Sequence, residues 1–120
     1  MTRLKLQLRL YCGDEIAMGP GKADLLEAID RDGSISAAGR SLNMSYRRAW
    51  MLVDTMNRCF IEPLVVTTPG GGKGAGARVT AAGFAMLAAY RALSAGAQQA
   101  TKGPDFARLE EAIRDDPLPQ

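Results

Sequence analysis

Leucine alternates with mostly polar residues through Arg3-Leu4-Lys5-Leu6-Gln7-Leu8-Arg9-Leu10-Tyr11. A period of two puts Leu4, Leu6, Leu8 and Leu10 on one face, which predicts a half-buried strand over residues 3–11. Gly13-Asp14-Glu15 interrupts it. The period then changes, with Leu25, Leu26 and Ile29 recurring at helical spacing. Pro20 suits a first helical turn, where its missing N–H is no loss, and Gly33 supplies a stop, so a helix is expected from Pro20 to about Asp32.

Ser34 is placed to cap a second, short helix through Ile35, Ala37, Ala38 and Leu42, whose small residues permit a close crossing with a neighbour. Asn43-Met44 makes the break. Ser45 then caps a third helix in which Ala49, Val53, Met56 and Phe60 form an inward stripe, with Trp50 and Leu52 beside it. Tyr46, Arg47, Asp54, Asn57 and Arg58 fall on the opposite face, and Pro63 ends the helix.

Leu64-Val65-Val66-Thr67-Thr68 is a β-branched strand that runs into the glycine-rich loop from Pro69 to Ala77, and Arg78-Val79-Thr80 returns as its partner. A fourth, alanine-rich helix from Thr80 to about Gln98 carries Phe84, Met86, Leu87, Tyr90 and Leu93 on its apolar side. Thr101-Lys102-Gly103-Pro104 breaks it, and Asp105 is a cap for a last short helix through Phe106, Leu109 and Ile113. The expected fold class is mainly α with a small β-hairpin. Residues 1–100 form one domain, comprising the strand 3–11, a helix-turn-helix over 34–61, a wing over 64–80 and a long helix over 80–98; residues 101–120 are a tail.

With 120 residues, 47% of them hydrophobic, a single core needs no staple of disulfides or metal. The chain has no histidine, the commonest general base and metal ligand, so neither an enzyme nor a cofactor is expected. Cys12 and Cys59 stand far apart in the sequence and show no ligand spacing. No apolar run is long enough for a membrane span, and Arg3, Lys5 and Arg9 interleave with leucines in place of a signal-peptide pattern. The expected compartment is the cytoplasm, with no membrane partner.

Charge redirects the reading toward a polyanion. Between residues 34 and 80 stand Arg40, Arg47, Arg48, Arg58, Lys73 and Arg78, against only Asp54 and Glu62. Two short helices and a tight turn, the second helix opening with Ser45-Tyr46-Arg47-Arg48, followed by a hairpin, is the order of a winged helix-turn-helix. Such a helix meets the major groove with its N-terminal residues, where free N–H groups face phosphate and arginines reach guanine edges. Lys73 and Arg78 on the hairpin suit phosphate contacts. The glycine loop is no Walker motif, since Gly74 follows Lys73 where Ser or Thr is required. The competing reading is a protein-interaction adaptor that keeps the fold, because folds do not fix functions.

Several blocks together resemble the N-terminal DNA-binding region of the molybdate-responsive ModE regulators, relatives of the LysR-type helix-turn-helix proteins. They are Gly33-Ser34-Ile35-Ser36-Ala37-Ala38, Met44-Ser45-Tyr46-Arg47-Arg48-Ala49-Trp50, Met56-Asn57, Pro63-Leu64-Val65, and the Gly-Gly-Lys-Gly wing with Thr80 and Gly83 after it. The resemblance implies a winged-helix transcription regulator that binds double-stranded DNA as a homodimer, paired through the N-terminal strand (Leu4, Leu6) and the long helix (Phe84, Leu87, Tyr90). It carries DNA-contact roles onto Ser36, Ser45, Tyr46, Arg47, Arg48 and Lys73. Full-length members continue into an oxyanion-binding domain, for which the ~20-residue tail has no room. The expectation is therefore that the chain does not bind molybdate directly, and that any effector acts through a separate effector-binding protein.

Overall fold

A computed structural model describes residues 3–69 and 76–120. In chain order the elements are β1 (Leu10–Cys12), β2 (Glu15–Met18), α1 (Pro20–Asp32), α2 (Ile35–Ser41), α3 (Tyr46–Cys59), β3 (Val65–Thr68), β4 (Gly76–Val79), α4 (Ala81–Ala100) and α5 (Pro104–Ala112). The described residues are thus mainly helical, with two small antiparallel hairpins, β1–β2 and β3–β4.

The predicted strand over 3–11 is corrected. Only Leu10–Cys12 are strand, and they pair with Glu15–Met18, a strand the alternation did not announce. Gly13, at a φ of 58°, makes the turn between them. A strand needs a partner, and β2 is four residues long with a register shift between Leu10 and Tyr11, so residues 3–9 have no ladder to join. Leu8 packs against the core, while Leu4 and Leu6 are each 42% exposed and Leu10 is 56% exposed.

The core lies where α1, α2 and α3 meet the wing. Helix α1 contributes Ala23, Leu25, Leu26, Ala28 and Ile29, all fully covered, and each large one gives about 1.5–3 kcal/mol of apolar burial. Its C-cap is Gly33 at a φ of 79°, a conformation glycine adopts without a Cβ clash. The Ser34 hydroxyl accepts from Ala37 N–H, and the Ser45 hydroxyl accepts from Arg48 N–H, each at the head of its helix. Asn43, at a φ of 58°, turns the chain between α2 and α3. At the crossing, a Cβ on Gly39 would lie 3.2 Å from Ala49 Cβ, so the small residues do allow close approach.

Within α3, Ala49, Val53 and Met56 are buried as the stripe requires, and Leu52 and Phe60 are partly buried against the core. Trp50 does not join them. It is 38% exposed and meets Tyr46, one turn earlier, edge-on, because its position rotates away from Ala49 toward solvent. The helix ends at Cys59, with Phe60 as C-cap, before Pro63 is reached.

The wing is fastened at both ends. Ala77 N–H donates to Gly33 O at 2.9 Å, joining β4 to the end of α1. Thr80 N–H donates to Leu64 O at 2.9 Å, its hydroxyl donates to Pro63 O at 2.7 Å, and that hydroxyl oxygen accepts from Gly83 N–H at 3.0 Å to cap α4. Arg91 then ties α4 to α1 through Asp24 at 2.8 Å and Glu27 at 2.7 Å. Beyond that clamp α4 and α5 leave the core, and none of their residues is buried. This gives a radius of gyration of 18.1 Å and extents of 58 × 32 × 27 Å, against about 14 Å for a compact chain of this length. Helix α5 begins with Pro104 behind the cap residue Gly103, two positions ahead of the expected Asp105 cap. No helix among the described residues is long and apolar enough to cross a membrane.

Candidate nucleic-acid interface

Helix α3 opens on the surface. Ser45, Tyr46, Arg47 and Arg48 are all exposed. Ser45, Arg47 and Arg48 line one shallow cleft with Met51, Leu52 and Thr55, of about 310 Å³. The Ser45 hydroxyl already caps the helix, which leaves its second lone pair and its proton for a ligand. The Tyr46 hydroxyl accepts from the Trp50 indole N–H, which leaves its own O–H available to donate. Arg47 and Arg48 have no ion pair or side-chain hydrogen bond among the described residues.

The other basic residues divide into paired and unpaired. Arg58 is withdrawn from the footprint the sequence outlined: it bonds Asp54 at 2.9 Å and Glu15 at 2.9 and 3.3 Å. Hydrogen bonds from Glu15 and Asp54 hold its guanidinium well above the usual range. Arg40 donates to Ser36 Oγ at 2.8 Å, which holds that half-buried hydroxyl one helical turn away. Arg78 lies opposite Val66 on the wing, exposed and without an ion pair among the described residues. Lys73 lies outside the described residues.

Asn57 is not on the solvent face where helical spacing put it. It is half-buried, and its side-chain oxygen accepts from Leu64 N–H at 2.8 Å and Val65 N–H at 3.2 Å, while its amide donates to Val65 O at 2.9 Å. The chain folds back beside the end of α3, leaving these backbone groups in apolar surroundings that require a partner.

The residues expected to pair two copies stand in different situations. Phe84 is exposed, Leu87 is partly buried against the core, and Leu4 and Leu6 lie on the irregular N-terminal segment. Tyr90 is buried, and its hydroxyl donates to Leu8 O at 2.8 Å, so it holds that segment onto α4. An apolar groove of about 310 Å³ opens there, lined by Leu8, Leu10, Met86, Tyr90 and Leu93 among others.

Two features escaped the sequence. Cys12 and Cys59 come near one another, close enough for Cys12 to perturb the Cys59 thiol, because β1–β2 folds against the end of α3. A second basic cleft lies beside Arg48, formed with Arg9 and Lys22; nothing in their spacing connects these three.

The α1–α3 unit, followed by an antiparallel hairpin and a further helix, is consistent with a winged helix-turn-helix, a class built to bind DNA. No protein-family model matches the chain. It is 48% identical over 79 residues to the molybdenum-pterin-binding protein MopB of Rhodobacter capsulatus, covering 66% of this chain and 29% of that protein. It is 41% identical over 92 residues to the molybdenum transport protein ModE of Azotobacter vinelandii, covering 77% and 34%. It is 33% identical over 94 residues to the DNA-binding transcriptional dual regulator ModE of Escherichia coli K12, covering 78% and 34%. The chain spans about a third of the length of these curated relatives. Over that stretch it is homologous to the N-terminal region of the ModE regulators and belongs with that family. The ModE relatives are transcription regulators, not enzymes.

Proposed function

We propose that this protein is a sequence-specific, double-stranded DNA-binding transcription regulator that acts as a homodimer at an inverted-repeat operator in the cytoplasm. The observation that carries the reading is the exposed N-terminal turn of α3, where Arg47 and Arg48 have no acidic partner among the described residues. A planar guanidinium without a carboxylate is free for the bidentate guanine contact, and Ser45, Ser36 and Tyr46 supply hydroxyls for phosphate or base edges. Arg78 on the wing neutralises the backbone, a role the reading also gives to Lys73, which lies outside the described residues.

Two-fold pairing supplies the second recognition helix, and symmetry then demands an inverted repeat. The N-terminal segment with Leu4 and Leu6, and the apolar side of α4 with Phe84 and Leu87, form the pairing surface in this reading, while buried Tyr90 joins the two within one copy. The link to molybdenum-related genes comes from the names of the relatives.

Fluorescence anisotropy against the promoter of the adjacent transcription unit and a scrambled duplex, at physiological salt, tests it. Wild-type protein is expected to prefer the promoter, and R47A/R48A to lose that preference with a shallower salt slope. Binding that is equal on both duplexes and insensitive to R47A/R48A would refute the reading in favour of an adaptor role.

A further inference from the structure

Lys22 is 9% exposed and is the charged residue buried in this core. It has no ion pair or hydrogen bond to its ammonium among the described residues. Every buried side-chain nitrogen or oxygen among the described residues has a partner. The partnerless Lys22 Nζ therefore reaches open space, and the space it lines is a cleft of about 370 Å³ shared with Gln7, Arg9, Gly21 and Arg48. Its aliphatic stem is covered while the charge stands at the cleft wall.

Three cations from three separate parts of the chain meet here: Arg9 from the N-terminal segment, Lys22 from α1 and Arg48 from α3. Arg9 donates to Gln7 at 3.3 Å, a neutral partner that leaves its charge uncompensated. Glu15, the nearby carboxylate, is engaged by Arg58. The cleft also takes in the start of α1. Gly19 offers that helix no side-chain cap, its first turn has no acid, and Pro20 has no N–H. The N–H groups of Gly21 and Lys22 have no intrahelical acceptor and carry the positive end of the helix dipole. A cation on a covered stem without a counter-charge is costly, and Lys22 with the exposed Arg9 and Arg48 beside free N–H donors is matched by a tetrahedral anion with oxygens on every side.

We propose that this cleft is a binding site for a phosphate-class oxyanion, held by Lys22, Arg9, Arg48 and the Gly21 and Lys22 N–H groups. The anion has two sources, a phosphodiester of a bound duplex or a free oxyanion. The duplex source rests on the DNA reading above, since Arg48 links the cleft to the N-terminal turn of α3.

The test uses the full chain with two arms and two variants. K22M keeps the buried stem and removes the charge, and R9Q alters an exposed position that the core does not need. In the first arm, inorganic sulfate is titrated against chloride at matched ionic strength while the Gly21 and Lys22 amide resonances are followed. In the second, binding to a random-sequence duplex is measured across salt concentrations. A saturable sulfate shift that both variants abolish assigns the cleft to a free oxyanion. Several-fold weaker duplex binding in both variants, with the salt slope reduced by about one, assigns it to a backbone phosphate. Both effects together mean that one cleft takes either. No saturable sulfate response and unchanged duplex binding in the variants overturn the proposal, and R47A/R48A still losing DNA would then leave the DNA reading standing. Should the wild-type protein bind no duplex, the DNA reading fails and the sulfate arm alone decides the cleft.

Discussion

Asn57 grips Val65 from both sides, donating its amide to the Val65 carbonyl at 2.9 Å and accepting the Val65 N–H at 3.2 Å, with the Leu64 N–H shared at 2.8 Å. One side chain thus fixes where the wing leaves α3. Asn57→Ala strands these groups beside fully covered Leu64 and Val65, and is expected to cost roughly 2–3 kcal/mol. Urea unfolding measures it. Thr55→Ala, which removes only a bond back to Met51 O, is the control and should change stability by less than about 0.5 kcal/mol.

Gly83 and Gly96 lie on the same helix and predict opposite outcomes. A Cβ on Gly83 would stand 2.3 Å from Leu64 O and 2.6 Å from Val79 Cγ1, so α4 must move off the wing. Gly83→Ala is expected to destabilise by about 2–3 kcal/mol. Nothing lies within 4 Å of a Cβ on Gly96, and Gly96→Ala should stabilise by about 0.5–1 kcal/mol through helix propensity. Thermal unfolding of both variants beside wild type would show midpoints moving in opposite directions; a common direction would contradict the packing described.

Partial burial of the Lys22 side chain pushes its pKa below the ordinary 10.5, Arg48 adding to the effect while Cys59 and Glu15 oppose it. A group depressed in the folded state binds its proton more weakly there than in the unfolded chain. Its relative contribution to stability is complete above pH 10.5 and is lost as pH falls through the folded value. At neutral pH the charge therefore works against folding. Lys22→Met should be more stable than wild type at pH 7 in chloride buffer, with the difference shrinking as pH approaches and passes 10.5. Denaturation of both proteins at pH 7 and at pH 11 measures the difference directly.

The two neighbouring cysteines are expected to differ in reactivity. Burial, and then neighbouring Cys12, push the Cys59 thiol up, with Arg58 pulling the other way. Cys12 is exposed. Alkylation by iodoacetamide near pH 7.5, followed by mass spectrometry, should label Cys12 first, with Cys59 slower by about tenfold or more. Equal rates would mean that the end of α3 opens on the timescale of labelling.

Phe84 projects from α4 at 45% exposed, so a charge there is tolerated by the monomer. If the apolar side of α4 pairs two copies, Phe84→Glu lowers the mass seen by sedimentation from dimer to monomer without altering the helical signal. A dimer that survives this change would move the interface elsewhere.

Features that close within a few residues are legible in the chain alone. Ser34 and Ser45 cap helices by accepting N–H groups three positions on, and Gly33 ends α1 through its own left-handed backbone. These signals were legible because their partners are local, and the inward stripe of α3 followed from the period of the helix. Helical phase places Arg47 on the exposed face and Arg48 toward its margin, and both are exposed. The remaining features depend on long-range packing. The alternating leucines of residues 3–9 are not a strand, because pairing depends on a neighbour that the chain does not bring alongside. Arg58 is neutralised by Glu15, 43 positions away. Asn57 turns to the wing, Cys12 comes near Cys59, and Arg9, Lys22 and Arg48 converge only because the β1–β2 hairpin, α1 and α3 share one corner of the core. Periodicity reports which face of an element is apolar; which distant groups that burial brings together is set by packing alone.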